Sequence, residues 1–371
     1  MKGSIEIMKE AQDIIQFFRI PGEILNFQPM NSGHINTTSK VSVVDNGKIK
    51  FYTVQAINTN VFKNPEGVMS NIVKVTTHIK KKIESAGGNT TRGVLTVIMT
   101  KDDKPFYIDE EGTYWRIYRY IDKCHTQNKV EDPKTLYNAG LGFGNFQNQL
   151  ADFPKEDLFE TIVDFHNTPV RYKQLLDAIK NDPEDRVKEC QEEIKFFEDR
   201  VDELGRLTSL EAEGKLPLRV THNDTKFNNI LIDDATNEAI SVIDLDTVMP
   251  GLVTSDFGDA IRFATNTAAE DETDLSKIGI SLELFDAFAK GFLKALDGKL
   301  NDTEMDNLAW GAKIMTMECG MRFLADYING DVYFKIHREK HNLDRARNQI
   351  ALAKSMEENF DKMQEIIKKY K

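Results

Sequence analysis

The sequence predicts an α+β chain of two lobes: a small antiparallel-sheet lobe in residues 1–121 and a larger, mainly helical lobe in residues 122–371. Three observations carry this prediction. From residue 24 to residue 121, β-branched and aromatic residues run in short stretches separated by turn residues. Beyond residue 122, apolar residues recur every three or four positions, as on one face of a helix. Within that helical half, residues 217–250 return to short strands around a polar loop.

Taken in order, Met8, Ala11, Ile14, Ile15 and Phe18 mark an amphipathic helix that Pro21-Gly22 ends. The stretch 38–57 reads as a hairpin turning at Asp45-Asn46-Gly47. Residues 64–88 carry Val68, Ile72, Val75 and Ile79 at helical spacing. Three further strands are expected in 93–121, parted at Asp102-Asp103 and at Glu110-Glu111-Gly112. Helices follow at 134–153, 180–207, 282–296, 302–328 and 339–370. The glycine-rich GLGFGNF (140–146) belongs to the first of these. Leu136, Ala139, Phe143, Phe146 and Leu150 share one helical face and no strand precedes it, so it is not a phosphate loop. The last helix has the apolar stripe of an element packed on its own lobe, which suggests a monomer or weak homodimer.

Composition excludes several function classes. The net charge of −12 is the reverse of a nucleic-acid footprint. The three cysteines, Cys124, Cys190 and Cys319, have neither metal-ligand spacing nor the density of a disulfide scaffold, which fits a reducing compartment. The N-terminus lacks a signal-peptide core, and apolar runs such as GVLTVIM are too short to span a bilayer. A cytoplasmic location without membrane or nucleic-acid partners is expected.

The chemistry concentrates in THNDTKFNNILID (221–233). His222, Asp224 and Asn229 have the H-x-D-x-x-x-x-N spacing of a phosphotransfer loop. Asp224 is the candidate catalytic residue, accepting a hydrogen bond from a substrate hydroxyl. Asn229 lies one short turn away, where it can hold a metal on the phosphates. The strand Ile240-Ser241-Val242-Ile243 then delivers Asp244, with Asp246 two positions on. Asn229, Asp244 and Asp246 are the candidate Mg²⁺ ligands. The competing reading is a hairpin whose tips carry ordinary turn-forming Asp and Asn.

These segments, with NSGHINTT (31–38), INTNVFKNPEGVMSNI (57–72), VIDLDTVMPGLVTSDFGDAIR (242–262) and ECGMRFLADYINGDVYFK (318–335), resemble the aminoglycoside phosphotransferase and choline kinase superfamily. Within it the chain resembles, more narrowly, the bacterial N-acetylhexosamine 1-kinases. The resemblance implies a protein-kinase-like bilobal fold, ATP and Mg²⁺ as cofactors, and a small sugar as acceptor. It also implies nucleotide contacts from Ser32, Gly33 and His34, with Asn36 beside them, from Gln55, and from Tyr118 in the hinge YWRIYRYID. Asp259 is implied as an acid beneath the catalytic loop. The chain departs from the pattern at one place. The strand FYTVQAIN has no basic residue, and Ala56 follows Gln55. Glu66 on the next helix reads equally as a solvated helix-start acid.

For the acceptor, Glu318, Arg322 and Asp326 fall on one face of a helix, with Tyr327 beside them. They form either an i,i+4 ladder or a polar platform, and Arg322, Asp326 and Tyr327 are the candidate sugar contacts. His166 in VDFHNTP reads as a surface or packing histidine. Competing readings are a choline, aminoglycoside or other hydroxyl kinase, and a nucleotide-binding pseudokinase.

Overall fold

The computed structural model describes residues 12–30, 35–127 and 132–371. Its N-terminal part is a five-stranded antiparallel sheet in the order β1-β2-β3-β5-β4. The strands are β1 (Glu23–Met30), β2 (Thr37–Asp45), β3 (Lys48–Ala56), β4 (Tyr107–Ile108) and β5 (Tyr114–Arg119). The predicted hairpin is β2–β3. Asn46 and Gly47 both have positive φ, 49° and 74°, the two-residue turn that matches strand twist. One sheet face buries Val41, Val43, Val54, Trp115 and Ile117 against Ile14, Ile15 and Phe18. The opposite face carries Gln55, Arg116 and Tyr118.

One expected strand is not regular. Residues 96–101 split their backbone bonds between β5, through Ile98 N to Ile117 O (2.8 Å), and the N-terminal segment, through Lys101 N to Phe17 O (2.8 Å). A stretch shared between two partners forms no continuous ladder with either.

The helix Pro65–Ser85 starts where Asn64 accepts from Gly67 N, with Pro65 in the first turn. Its predicted stripe, Val68, Ile72, Val75 and Ile79, is buried, and it joins the core of the C-terminal half rather than that of the sheet. Asn71 on this helix is fully buried. Its Nδ2 donates to Phe159 O (2.7 Å) and Val248 O (2.9 Å), and its Oδ1 accepts from Phe159 N (2.9 Å).

The C-terminal part packs helices around Leu308–Ile328, which contacts Thr168–Asn181, Val253–Ala264 and His341–Glu358. Two small sheets sit in front of it: β6 (Cys124–His125), β8 (Ile230–Asp233) and β9 (Ala239–Val242) in one, β7 (Arg219–Thr221) and β10 (Met249–Gly251) in the other. Among the described residues no helix is long and apolar enough to cross a membrane.

GLGFGNF is helical, inside Pro133–Gln149, and its glycines have a packing role. A Cβ at Gly140 or Gly144 would collide with the backbone of Phe288 or Phe292 on Leu282–Leu296. Three expected helices come in pieces. The stretch 302–328 divides at Asn307 into Asp302–Asp306 and Leu308–Ile328. The stretch 180–207 is interrupted at Asp182 (φ 35°), where Pro183 forbids continuation. The final helix breaks at Asn359 into His341–Glu358 and Phe360–Lys368, and both bury apolar residues in the main core.

Candidate active site

The loop between β7 and β8 is held from below by one carboxylate. Asp256, 1% exposed on Val253–Ala264, accepts from His222 N (2.8 Å) and Asn223 N (2.7 Å). Asp259, expected in this place, lies one turn further on. One of its oxygens accepts from Arg262 Nη2 (2.9 Å), and the other is buried without a hydrogen-bond partner. Thr247 Oγ1 donates to His222 O (2.7 Å), and Asn223 Nδ2 to Thr247 O (2.9 Å). His222 donates from Nε2 to Ile243 O (2.9 Å) and accepts at Nδ1 from Asp224 N (3.2 Å). These bonds tie the loop to the turn after β9 and hold Asn223 at φ 63°.

Asp224 projects from this frame. One oxygen pairs with Lys226 Nζ (2.8 Å), and the other accepts from Asn229 Nδ2 (3.1 Å). Burial alone would raise its pKa. The Lys226 ammonium outweighs burial, with help from Asn229, and holds Asp224 down at about 2. Asn229 also donates to Asp224 O (2.8 Å), and its side-chain oxygen accepts no hydrogen bond among the described residues. Ile243 N donates to Asn229 O (2.9 Å), so the hairpin brings Asn229 beside Asp244. Asp244 is in the left-handed region (φ 59°), and its carboxylate accepts no hydrogen bond among the described residues. Desolvation in the cleft and the carboxylates of Asp246 and Asp224 push its pKa up to about 6. Because the residue itself is open to solvent, like-charge crowding is the better explanation of the two.

Asp246 is differently placed. It is 2% exposed, and Arg116 grips it with both guanidinium nitrogens, Nη2 at 2.9 Å from Oδ2 and Nη1 on Oδ1. Asn36, expected to face phosphate, donates to the same carboxylate (2.7 Å) and accepts from Asn58 N (3.0 Å). Gln55 lies opposite Arg116 in register. Its Oε1 accepts from Arg116 Nε (2.9 Å), and its Nε2 donates to Thr38 Oγ1 (2.9 Å). Tyr118 is buried, with the Arg116 guanidinium 5.2 Å from its ring centre. Glu66 makes only a long 3.4 Å contact with Tyr114 OH. Ser32, Gly33 and His34 lie outside the described residues.

A second ion pair adjoins the loop at Asn223. His166 is bound at both ring nitrogens by acceptors, Glu318 Oε1 (2.8 Å) and Asn223 O (2.9 Å), so the ring is an imidazolium. Burial opposes that charge, but Glu318 overrides it and raises the His166 pKa. Glu318 is 1% exposed and also accepts from Thr168 Oγ1 (2.7 Å). The i,i+4 ladder Glu318–Arg322–Asp326 does not form. Arg322 instead lies among the rings of Phe165 (5.4 Å), Phe334 (5.5 Å) and Tyr333 (6.0 Å), with no hydrogen bond among the described residues. Asp326 accepts from Tyr333 N (2.8 Å), Phe334 N (2.9 Å) and Asn342 Nδ2 (2.9 Å), and so fixes the turn that carries those rings. Tyr327 points elsewhere. It is 2% exposed in the second apolar core, and its hydroxyl donates to Glu189 (2.9 Å).

The structure gathers Asp224, Asn229 and Asp244, all singled out in the sequence, and sets Lys226, Arg116 and His166 around them, which were given no site role; Tyr333 likewise joins Arg322. Lys226 was within the quoted motif. Tyr333 shares the stretch 318–335 with Arg322, whereas Arg116 and His166 come from distant segments, and of these two Arg116 offered a signal, as a basic residue one strand away from the basic-free one.

Comparison with known proteins bears on the family and the fold. The family model described as phosphotransferase enzyme family matches residues 104–294, just over half of the chain. An aminoglycoside phosphotransferase from Alicyclobacillus acidocaldarius superposes with a TM-score of 0.59 at 11% identity, covering 96% of each chain. A choline kinase from Cryptosporidium parvum gives 0.55 at 15% identity, covering 91% of this chain and 90% of its own. A spectinomycin phosphotransferase in complex with ADP and spectinomycin gives 0.52 at 15% identity, covering 98% of this chain and 97% of its own. At these identities the likeness is one of fold, and that fold is the protein-kinase-like α+β bilobal one.

Proposed function

The chain belongs to the phosphotransferase enzyme family, and from that premise we propose that it moves the terminal phosphoryl group of ATP to a hydroxyl of a small molecule. The acceptor we propose is the anomeric 1-hydroxyl of an N-acetylhexosamine, giving the sugar 1-phosphate and ADP. Residues 1–121 cover the nucleotide in this reading, and residues 122–371 supply the catalytic loop and the acceptor pocket. The observation that carries the reading is the ionised Asp224, fixed beside Lys226 and Asn229 at the mouth of a hairpin that ends in the unbonded Asp244.

Asp224 orients the acceptor hydroxyl and takes its proton as the new bond to phosphorus forms. A carboxylate of low pKa is a weak base, so its main contribution is alignment of the hydroxyl for in-line attack. Lys226 lies where it offsets charge on the transferred group. The donor set near Asp244 fits Mg²⁺: a carboxylate and an amide oxygen that accept no hydrogen bond among the described residues, both hard ligands. Among the described residues no three His, Cys, Asp or Glu side chains cluster into a metal site. Mg²⁺ held by one or two side chains plus substrate phosphates needs none. When bound there, the ion neutralises phosphate charge.

The surroundings of Asp224 favour a neutral acceptor over a cationic one. Arg322 pairs with no carboxylate among the described residues, so a choline- or aminoglycoside-like cation beside it would meet like charge, whereas Lys226 and Arg262 are paired with Asp224 and with Asp259 and Glu270. Arg322 among Phe165, Tyr333 and Phe334 offers donors set in aromatic faces, which suits a sugar ring with its hydroxyls. Asp326 serves by holding that turn, and Tyr327 belongs to the core. The test is ATP turnover against N-acetylglucosamine, N-acetylgalactosamine, simple hexoses, choline and aminoglycosides, with the phosphorylated position read by phosphorus NMR. A 1-phosphate from an N-acetylhexosamine is the expected product. Turnover on cations alone refutes the sugar reading, and nucleotide binding with no turnover on any acceptor marks a pseudokinase.

A further inference from the structure

The strand that should supply a cation to the phosphates has none, yet a buried cation stands directly beside it. Arg116 on β5 is in register with Gln55 on β3 and 1% exposed. Its guanidinium is fully committed: Nε to Gln55, and the two terminal nitrogens to Asp246. Asp246 is equally committed, to Arg116 and Asn36. Asn36 opens β2 and also fastens Asn58. Asp246 stands two residues beyond Asp244, in the same short turn as Thr247, which holds the carbonyl of His222. One buried ion pair therefore joins three strands of the nucleotide-covering sheet to the turn that carries the metal-facing carboxylate.

We infer that Arg116 is a positioning residue for the metal site: through the two-pronged pair with Asp246 it fixes Asp244 relative to the sheet, in place of a strand lysine that would touch phosphate itself. The inference rests on the kinase reading above. Three physical points support it. A planar fork on a carboxylate fixes orientation as well as distance, which a lysine does not. A buried charge pair of this kind contributes little net stability over an apolar pair of the same shape, so specificity of placement is the gain. Asp244 sits in a left-handed backbone conformation that surrounding contacts have to maintain. Asp246 then acts as the counter-charge of Arg116, and Asp244 and Asn229 are left to face the ion.

The experiment measures ADP binding by calorimetry with and without Mg²⁺, in the full-length wild type, Arg116→Lys, Asp246→Asn, Asn36→Ser and Asp244→Ala. The expected result is unchanged metal-free ADP binding in the first three variants, together with a loss of about 10–100-fold in the Mg²⁺-dependent gain, the scale of losing a partner that orients a ligand. Asn36→Ser reads the coupling from a less buried position if Arg116→Lys does not fold. Equal loss of metal-free and Mg²⁺-dependent binding in Arg116→Lys overturns the inference, because the guanidinium then touches phosphate directly. Loss confined to Asp246→Asn also overturns it and makes Asp246 a ligand. An unchanged Mg²⁺ gain in all three, with lower melting temperatures, reduces the pair to a structural one. Asp244→Ala separates the two levels: if it keeps the full Mg²⁺ gain the kinase reading of this cleft fails, whereas if it loses the gain while the other three keep it, only the positioning inference fails.

Discussion

Asp224 is held near pKa 2 by a lysine two residues away and an amide five residues away. Its replacement by Asn keeps the shape and removes the charge. We expect Asp224→Asn to lower kcat by about 10²–10⁴-fold, the usual worth of a positioned acid–base group. The KM for ATP should stay near the wild-type value, and steady-state kinetics against the preferred acceptor measures both. Retention of full kcat would remove Asp224 from the chemistry. Neighbours on one helix separate just as cleanly. Arg322 has no hydrogen-bond partner among the described residues, whereas the Tyr327 hydroxyl is spent on Glu189. Arg322→Ala should therefore raise the acceptor KM by about tenfold or more, since a lost bond from a charged donor costs about 1.5–3 kcal/mol. Tyr327→Phe should leave acceptor kinetics alone and cost about 1 kcal/mol of stability. The opposite assignment of effects would put Tyr327, not Arg322, in the pocket.

At the scale of elements, what could be read in advance was what local rules decide. The Asn46-Gly47 turn and the stripe Val68–Ile79 each have a cause within a few residues, and both appear where expected. The catalytic hairpin was readable for the same reason, because Asp224, Asn229 and Asp244 follow one another across a single β-turn-β unit. Long-range pairing was not. No local pattern says that Arg116 meets Asp246, 130 residues away, or that His166 meets Glu318, 152 residues away. The misplacement of Asp259 has a similar origin, since sequence gives two acids one turn apart and only tertiary contact shows that Asp256 is under the loop. The glycines of Pro133–Gln149 show how packing reverses a local preference. In an exposed helix Gly→Ala gains roughly 0.5–1 kcal/mol. At Gly140 the added methyl would meet Phe292 N at 2.9 Å and the Phe288 carbonyl still closer. Gly140→Ala should instead destabilise by about 1–3 kcal/mol, as overpacking does. Urea unfolding gives the sign directly, and a stabilised variant would show that the two helices part easily.

For the molecule as a whole, the His166–Glu318 pair makes stability depend on pH in a definite direction. The folded-state pKa of His166 is raised above its ordinary 6.5, so its contribution is complete below that value and disappears as pH rises through the folded pKa. Glu318 is lowered below 4.5, so its contribution is complete above that value and disappears as pH falls through the folded pKa. The difference in stability between the wild type and Glu318→Gln should be widest from pH 4.5 to 6.5 and shrink on either side. Denaturant titrations across that range check the shape, and a flat difference would mean that the pair is not ionised.

Asn71 decides to which half its helix belongs. Its three amide bonds are all made to the C-terminal half, and the buried stripe of its helix lies in that half's core. The chain order counts this helix with the sheet, but its fastenings do not. The helix is therefore seated with the larger body, a fixed sill beneath the canopy of strands. The Arg116–Asp246 pair is then the fastening of canopy to sill, and the seam between the two halves runs between the sheet and its own helix.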